Sequence, residues 1–298
     1  MINFLLISDK NYNLQLVNSI NSLCDHFDLI NQNSTIYIIH KEPSSFKKYM
    51  KLLKYKNIKI IKFDKKYRVL NNVRGSHLSE VTYYRLYIDK LLNLKEGYLI
   101  YFDADLFFMN NVTNFFINSI EELSKSKNVV AAVNEDIVTD LNIDYFNKLD
   151  FTSKPYFNAG LIIFNLHKCF EKNFFNKLRS KLTSIDFELK YWDQDILNVV
   201  VNGEFLKMDE IINYGIDLKS NNFVPKDVLA VHYKGKNKPW DIEYAFNNDS
   251  KMYQDLHLAN FDALHLTNIY KNLQKLKSLK IETGLLLKII KIQFLKWI

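Results

Sequence analysis

The sequence predicts an α/β protein: a sheet covered by helices on both faces, followed by a basic helical tail. Three observations carry that reading. Short apolar runs of strand length alternate with longer stretches of helical period, the pattern of strand–helix–strand units. The 298 residues are 48% hydrophobic and 24% charged, a globular balance, and a chain of this size buries roughly three quarters of the surface it exposes when unfolded. The 7 glycines and 4 prolines are too few for flexible linkers or low-complexity arms. In such a fold, ligands bind at the carboxyl ends of the strands.

The elements follow in order. Residues 4–7 read as a first buried strand, with a helical stretch over 12–27. Residues 35–40 give a second strand, 46–55 a helix and 58–63 a third strand. Ser79 is placed to cap a helix whose Val81, Tyr84, Ile88 and Leu91/Leu92 line one face. Strands follow at 98–102, 129–133 and 161–164, then a helix at 193–201 and a short strand near 228–232. One domain is expected over residues 1–265, with the tail at 266–298.

The net charge of +7 is unevenly placed. From residue 271 onward, seven lysines (271, 275, 277, 280, 288, 291 and 296) face the single acid Glu282, so the tail holds six of the seven net charges. The tail has no arginine, the preferred base reader, and nucleic acid is therefore not an expected partner. Its Leu, Ile, Phe and Trp residues are interrupted by Lys288, Lys291 and Lys296 before reaching the roughly 20 residues a membrane-spanning helix needs. On a helix, Lys277, Lys280, Lys288 and Lys291 fall within an arc of about 80°. A face of lysines beside apolar residues suits an anionic membrane surface. A helix packed on the body or on a partner, with snorkelling lysines, stays open. Cys24 and Cys169 make no disulfide framework, and no Cys/His spacing suggests zinc, so a reducing compartment is expected. The first residues have no basic start and an apolar run of four, so a strand is expected there and not a signal peptide.

The chemistry-bearing residues begin with Asp103-Ala104-Asp105, directly after the strand Tyr-Leu-Ile-Tyr-Phe. In an extended chain, residues i and i+2 face the same way, so two carboxylates can address one cation. Such ligands suit Mg²⁺ or Mn²⁺, commonly held for a substrate diphosphate. The spacing alone is weak, because Asp193-Gln194-Asp195 repeats it. A strand followed by Asp-x-Asp also opens haloacid-dehalogenase-type phosphatases, where the first Asp is a nucleophile. Against that, Leu106-Phe107-Phe108 follows where small and hydroxyl residues belong, and the pair lies a third of the way along the chain. Further on, His232 to Trp240 supplies an imidazole to complete a metal set, Gly235 for close backbone approach and Lys238 as a point charge for phosphate.

Six blocks in order then resemble one family: Ile7 to Tyr12 (with Ser8, Asp9 and Asn11), Thr82 to Leu86, Tyr101 to Asp105, Phe157 to Gly160, Trp192 to Asp195 and His232 to Trp240. The chain resembles the retaining glycosyltransferases of family 8, which include glycogenin and the bacterial lipopolysaccharide α-galactosyl- and α-glucosyltransferases. Within the family its likeness is greatest to the lipooligosaccharide α-galactosyltransferases. The resemblance implies a nucleotide-diphospho-sugar transferase (GT-A type) fold, with a Rossmann-like mixed sheet and helices on both faces. It implies Asp103, Asp105 and His232 as Mn²⁺ ligands, with Mg²⁺ also possible. It places Ile7, Ser8, Asp9, Asn11 and Tyr12 at uridine, with Tyr12 stacking on uracil, and Ala104 between the metal ligands. It places Gly235 and Lys238 on the diphosphate, and Arg85, Asn158, Asp193 and Gln194 around the donor sugar, Gln194 beneath the reacting carbon. His77 falls near the phosphates and acceptor, and residues 134–136 where acceptor contacts are expected.

Each residue has a plainer alternative. Tyr12 could be a core aromatic at a helix start, and Arg85 could pair with Asp89 on its own helix. Asn158-Ala159-Gly160 alone reads as a turn, and Asp193 as a helix cap. What the resemblance implies is transfer of a hexose, galactose before glucose, from a UDP-sugar to a glycan with retention of configuration. Gln194, Asp193 and Lys238 are the candidate catalytic residues. A cytosolic donor and a membrane-seeking tail place the protein at the inner face of a bacterial membrane, on a lipid-anchored acceptor such as a lipooligosaccharide core. A glycogenin-like glucosyltransferase and a non-catalytic membrane scaffold are the alternatives.

Overall fold

The computed structural model describes residues 1–64, 80–137, 142–151, 155–219, 223–263, 265 and 287–290. At its centre is a sheet that is apolar on both faces. In β1 (Ile2–Ser8), Phe4 and Leu6 enter one hydrophobic cluster while Leu5 and Ile7 enter another. β2 (Ile36–His40) divides likewise, Ile36 and Ile38 against Tyr37 and Ile39. Alternate side chains point to opposite faces, and a strand covered twice reads as a continuous apolar run.

The other strands are β3 (Ile58–Lys62), β4 (Tyr98–Phe102), β5 (Leu106–Phe108), β6 (Val130–Asn134), β7 (Phe157–Asn165), β8 (Leu206–Met208), β9 (Tyr214–Gly215) and β10 (Ala230–His232). The large sheet runs β3-β2-β1-β4-β7-β6-β8, and a small one runs β5-β10-β9. In the large sheet every pairing is parallel except those of β7, which is antiparallel to β4 and β6. That reversal positions the site. The start of β7 lies at the same edge as the ends of β4 and β6, with Leu161 opposite Phe102 and Phe157 opposite Asn134.

Helices Asn13–His26 and Thr113–Lys125 cover one face through Leu16, Val17, Ile20, Leu23, Phe116 and Leu123. Helices Phe174–Ser184 and Asp193–Val201 cover the other through Phe174, Phe175, Leu178, Ile196 and Leu197. Phe4 sits edge-on to Phe27, Phe102 and Phe116, with ring centroids 4.9–6.3 Å apart. Truncating such a residue to alanine costs about 3–5 kcal/mol.

Two expected helices are wound differently. The 46–55 helix is a short α-turn, Pro43–Phe46, followed by a 3₁₀ stretch, Lys47–Leu52. The helix expected from Ser79 is 3₁₀ over Glu80–Tyr87 and α only at Ile88–Leu91; Ser79 itself lies outside the described residues. Val, Thr and Tyr have modest α-propensity, and with Tyr83, Arg85 and Leu86 buried beside Val81 and Tyr84, no polar face remains. Of the tail, residues 287–290 are helical with Leu287 and Ile290 exposed, and the remainder from 266 lies outside the described residues. Among the described residues no helix is long and apolar enough to cross a membrane.

Candidate active site

The site is built where the two sheets meet. β4 ends at Phe102, and the next residues turn a corner: the Asp103 N–H donates to Gly160 O at 2.9 Å, and the Leu106 N–H to Asp103 O at 3.1 Å. β5 then pairs with β10, setting Leu106 opposite His232. The ligand atoms of Asp103, Asp105 and His232 consequently lie within 4.8 Å of one another. His232 Nε2 is 3.7 Å from Asp103 Oδ2 and 3.4 Å from Asp105 Oδ1.

The imidazole is held from behind. His232 Nδ1 lies 2.8 Å from Asn213 Oδ1, and Asn213 Nδ2 donates to Asn158 Oδ1 at 2.9 Å. That network assigns the proton to Nδ1 and leaves the Nε2 lone pair facing the carboxylates, as a metal-binding histidine requires. Gly160 makes room for the ring: a Cβ there would lie 2.1 Å from His232 Cε1.

Around the trio, buried charge is unbalanced. Arg85 Nε lies 2.5 Å from Asp193 Oδ2 and its NH2 3.6 Å from Asp103 Oδ1, with the guanidinium 4.1 Å above the Tyr101 ring. The Tyr101 hydroxyl donates to Asp103 Oδ1. Lys238 Nζ lies 2.5 Å from Asp105 Oδ2. Burial opposes ionisation of Asp105, but the Lys238 ammonium is the largest influence against it, and the carboxyl is held far below its usual range. Burial raises Asp103, with repulsion from Asp105 adding to it and Arg85 opposing. Burial likewise pushes Asp193 up to about 7, against Arg85 and with Asp103 adding. Three carboxylates therefore face two buried cations. The donor set of two carboxylates and an imidazole, with that surplus of negative charge, fits a divalent cation.

Beside the trio lies a cavity of about 400 Å³. Its wall includes Ile7, Ser8, Asp9, Asn11 and Tyr12 from the end of β1, together with Asp103, Ala104 and Asp105. Asp9 caps the 3₁₀ turn Lys10–Tyr12, accepting from the Asn11 N–H at 2.8 Å. Tyr12 packs edge-on against Trp240 with centroids 5.8 Å apart, so it is both a packed aromatic and a cavity wall. Lys41 also lines the cavity without having been singled out from the sequence, as do Thr82 and Tyr101, which head two of the six blocks but were assigned no role. Tyr101 had a signal, standing two residues before Asp103 on the same strand period.

Arg85 links Asp193 to Asp103, and Asn158 and Gln194 meet at Glu135. The Asn158-Ala159-Gly160 segment is no turn; it lies within β7, where the register with β6 shifts between the Phe157 and Ile162 pairs. Gln194 Oε1 accepts from the Ala159 N–H at 2.9 Å, and its Nε2 donates to Glu135 Oε2 at 3.2 Å. Asp193 is not the cap but the first helical residue. Trp192 precedes it at φ 51° and ψ −124°, a conformation that costs a non-glycine residue about 1–3 kcal/mol. The Arg85–Asp89 pair does not form, because Asp89 is held by Arg179 at 2.6 and 3.0 Å. Among residues 134–136, Glu135 joins this network and Asn134 Nδ2 donates to Asp136 Oδ1 at 2.7 Å. Gly235 has φ 73° and an open surround, as a residue admitting close approach needs. His77 lies outside the described residues. Asn213 and the anchoring role of Glu135 had no signal in the sequence, since no spacing links them to their partners.

The glycosyl transferase family 8 model matches residues 3–243. The chain is 27% identical over 174 residues to the lipopolysaccharide 1,2-glucosyltransferase of Escherichia coli, covering 54% of this chain and 49% of that one. It is 26% identical over 173 residues to the lipopolysaccharide 1,3-galactosyltransferase of Salmonella typhimurium, covering 53% and 49%. The chain spans about half the length of the curated relatives it matches. The galactosyltransferase LgtC, solved with donor and acceptor sugar analogues, superposes with a TM-score of 0.69 at 19% identity, over 87% of this chain and 96% of that one. The bifunctional glycosyltransferase WbbM gives 0.67 at 23% identity, over 91% and 51%. The mixed GT-A-type sheet expected from the sequence is the fold observed.

Proposed function

The chain belongs to glycosyl transferase family 8, and on that premise we propose that it moves a hexose from a UDP-hexose to a glycan acceptor with retention of configuration. Galactose is favoured over glucose, and the core of a lipopolysaccharide or lipooligosaccharide is the destination. The observation that supports this best is the trio Asp103, Asp105 and His232, gathered within 4.8 Å beside a cavity of about 400 Å³. Family membership sets aside the phosphatase alternative, and the lipopolysaccharide enzymes among the relatives favour a core glycan over a glycogenin-like role.

Asp103, Asp105 and His232 would hold the divalent cation, Mn²⁺ in this reading with Mg²⁺ also suited, and the ion would neutralise charge on the departing diphosphate. The chain's own residues do the rest. Tyr12 stacks on uracil while Ile7, Ser8, Asp9 and Asn11 shape the nucleoside pocket. Lys238, now bonded to Asp105 and to Tyr233 O at 2.6 Å, shifts its ammonium onto a phosphate oxygen. Arg85, Asn158, Asp193 and Gln194 orient the hexose. Retention by two displacements needs a free carboxylate nucleophile. Gln194 is an amide, and Asp193 is buried and engaged by Arg85 at 2.5 Å. That favours same-face attack, in which the leaving phosphate takes the proton of the acceptor hydroxyl.

The test is UDP release from a panel of UDP-sugars, with Mn²⁺ and with EDTA, for the unaltered protein and Asp103→Asn. Slow Mn²⁺-dependent release from one hexose donor, absent in the variant, is expected. No release from any donor, together with no UDP binding, would overturn the proposal. The lysine-rich tail supports a seat on the anionic inner face of the cytoplasmic membrane. Replacing Lys277, Lys280, Lys288 and Lys291 by Gln should weaken binding to anionic vesicles by about 10-fold or more, and undiminished binding would contradict it.

A further inference from the structure

We propose that Glu135 and Lys234 are positioning residues that lock the two pocket amides, Gln194 and Asn158, in one orientation; this rests on the transferase reading above. A side-chain amide left to itself turns end for end easily, exchanging a donor for an acceptor of nearly the same shape. At both amides here, each end has a partner that accepts only one orientation. For Gln194, the Ala159 N–H at 2.9 Å demands Oε1 and Glu135 Oε2 at 3.2 Å demands Nε2. For Asn158, the Gly160 N–H and Asn213 Nδ2, each at 2.9 Å, demand Oδ1, while Glu135 Oε2 at 3.0 Å demands Nδ2. One carboxylate oxygen thus holds both amides. A carboxylate has no N–H to offer, so a reversed amide would set oxygen against oxygen. A glutamine at this position could turn to suit either orientation and would fix neither.

The carboxylate is itself held. Lys234 Nζ lies 2.8 Å from the other oxygen, Oε1. Lys234 stands two residues after His232, the last residue of β10, so the contact ties the segment that follows the metal-site histidine to the sugar pocket. An independent feature points the same way. Gly215, opposite His232 in the small sheet, leaves the corridor through which Lys234 passes. A Cβ there would lie 2.1 Å from Lys234 Cε and 2.7 Å from Nζ, and would displace the flexible ammonium without disturbing the backbone. Both oxygens of Glu135 are thus engaged by protein groups.

The experiment measures Mn²⁺-dependent hydrolysis of the accepted UDP-hexose and, by calorimetry, UDP binding. The proteins compared are the unaltered chain, Glu135→Gln, Lys234→Met, Lys234→Arg and Gly215→Ala. In Glu135→Gln, kcat should fall by about 30-fold, the scale of a small misplacement of reacting groups, while KM and UDP affinity stay within about 3-fold. Lys234→Met and Gly215→Ala should lower kcat by about 5–10-fold by the same loss of positioning, and Lys234→Arg should restore most of it. A kcat for Glu135→Gln within about 2-fold of the unaltered chain would overturn the inference. So would a parallel loss of kcat and UDP affinity, which marks a general structural defect. Absence of hydrolysis in the unaltered chain would instead bring down the transferase reading, and this inference with it.

Discussion

Asp103-Ala104-Asp105 leaves a strand whereas Asp193-Gln194-Asp195 opens a helix, and one spacing therefore has two outcomes. At the strand end the two carboxylates converge on His232 within 4.8 Å and border the cavity. On a helix, residues i and i+2 point about 200° apart. Asp193 accordingly meets Arg85, while Asp195 turns into the core and accepts from the Tyr145 and Tyr156 hydroxyls at 2.5 and 2.8 Å and from the Tyr191 N–H at 2.8 Å. A pair of acids has chemical meaning only together with the backbone that carries it. The first triplet gathers charge beside a cavity; the second divides its acids between Arg85 and a core brace.

Substitutions can break that comparison from either side. The largest effect is expected from Asp105→Asn, which should lower turnover by about 10³-fold or more and abolish the rise in Tm on adding Mn²⁺; full activity would refute the metal assignment. Asp195→Asn should do the reverse. Leaving a buried donor facing an amide N–H costs about 2–3 kcal/mol, read by urea denaturation, while the Mn²⁺ response persists. Loss of that response with stability unchanged would make the second triplet a ligand site after all. Asn213→Ala, which frees the back of His232, should weaken Mn²⁺ binding by about 10-fold or more, seen by calorimetry.

The smallest effect is a pH dependence. A carboxyl whose folded pKa is raised, as for Asp103 and for Asp193 at about 7, lends stability on the acid side that is lost as pH rises through the folded value. A cation bound to Asp103 displaces that proton, so the Mn²⁺-induced gain in Tm should be smaller at about pH 5 than at about pH 7.5. The buried His40, His257 and His265, whose pKa values burial lowers, shift stability alike with and without the ion, so the difference isolates the site. An equal gain at both values would argue against a proton-linked site.

The contrast also shows what was legible beforehand. β1, β2 and β4 could be read directly, because strands buried on both faces are unbroken apolar runs. The cavity wall could be read too, since Ile7 to Tyr12 and Asp103 to Asp105 are contiguous segments at strand ends. The network around Gln194 could be read only in part. Asn158-Ala159-Gly160 has turn composition yet lies within β7, where the register with β6 shifts, and Gly160 O accepts from the Asp103 N–H, a long-range contact that local propensity does not encode. Asn213 and Glu135 act on residues 19 and 59 positions away, a distance over which spacing carries no signal. The short strands β5, β8, β9 and β10 owe their existence to their neighbours, and of these only β10 was anticipated.

The most direct test of the metal and nucleotide sites acting together is calorimetric binding of UDP with and without Mn²⁺, for the unaltered chain and Asp105→Asn. Mn²⁺ should tighten UDP binding by about 10-fold or more in the unaltered chain, through charge neutralisation at the diphosphate, and by nothing measurable in the variant. Binding indifferent to Mn²⁺, or an equal gain in both proteins, would contradict the assignment of Asp103, Asp105 and His232 as the site that holds the donor's cation.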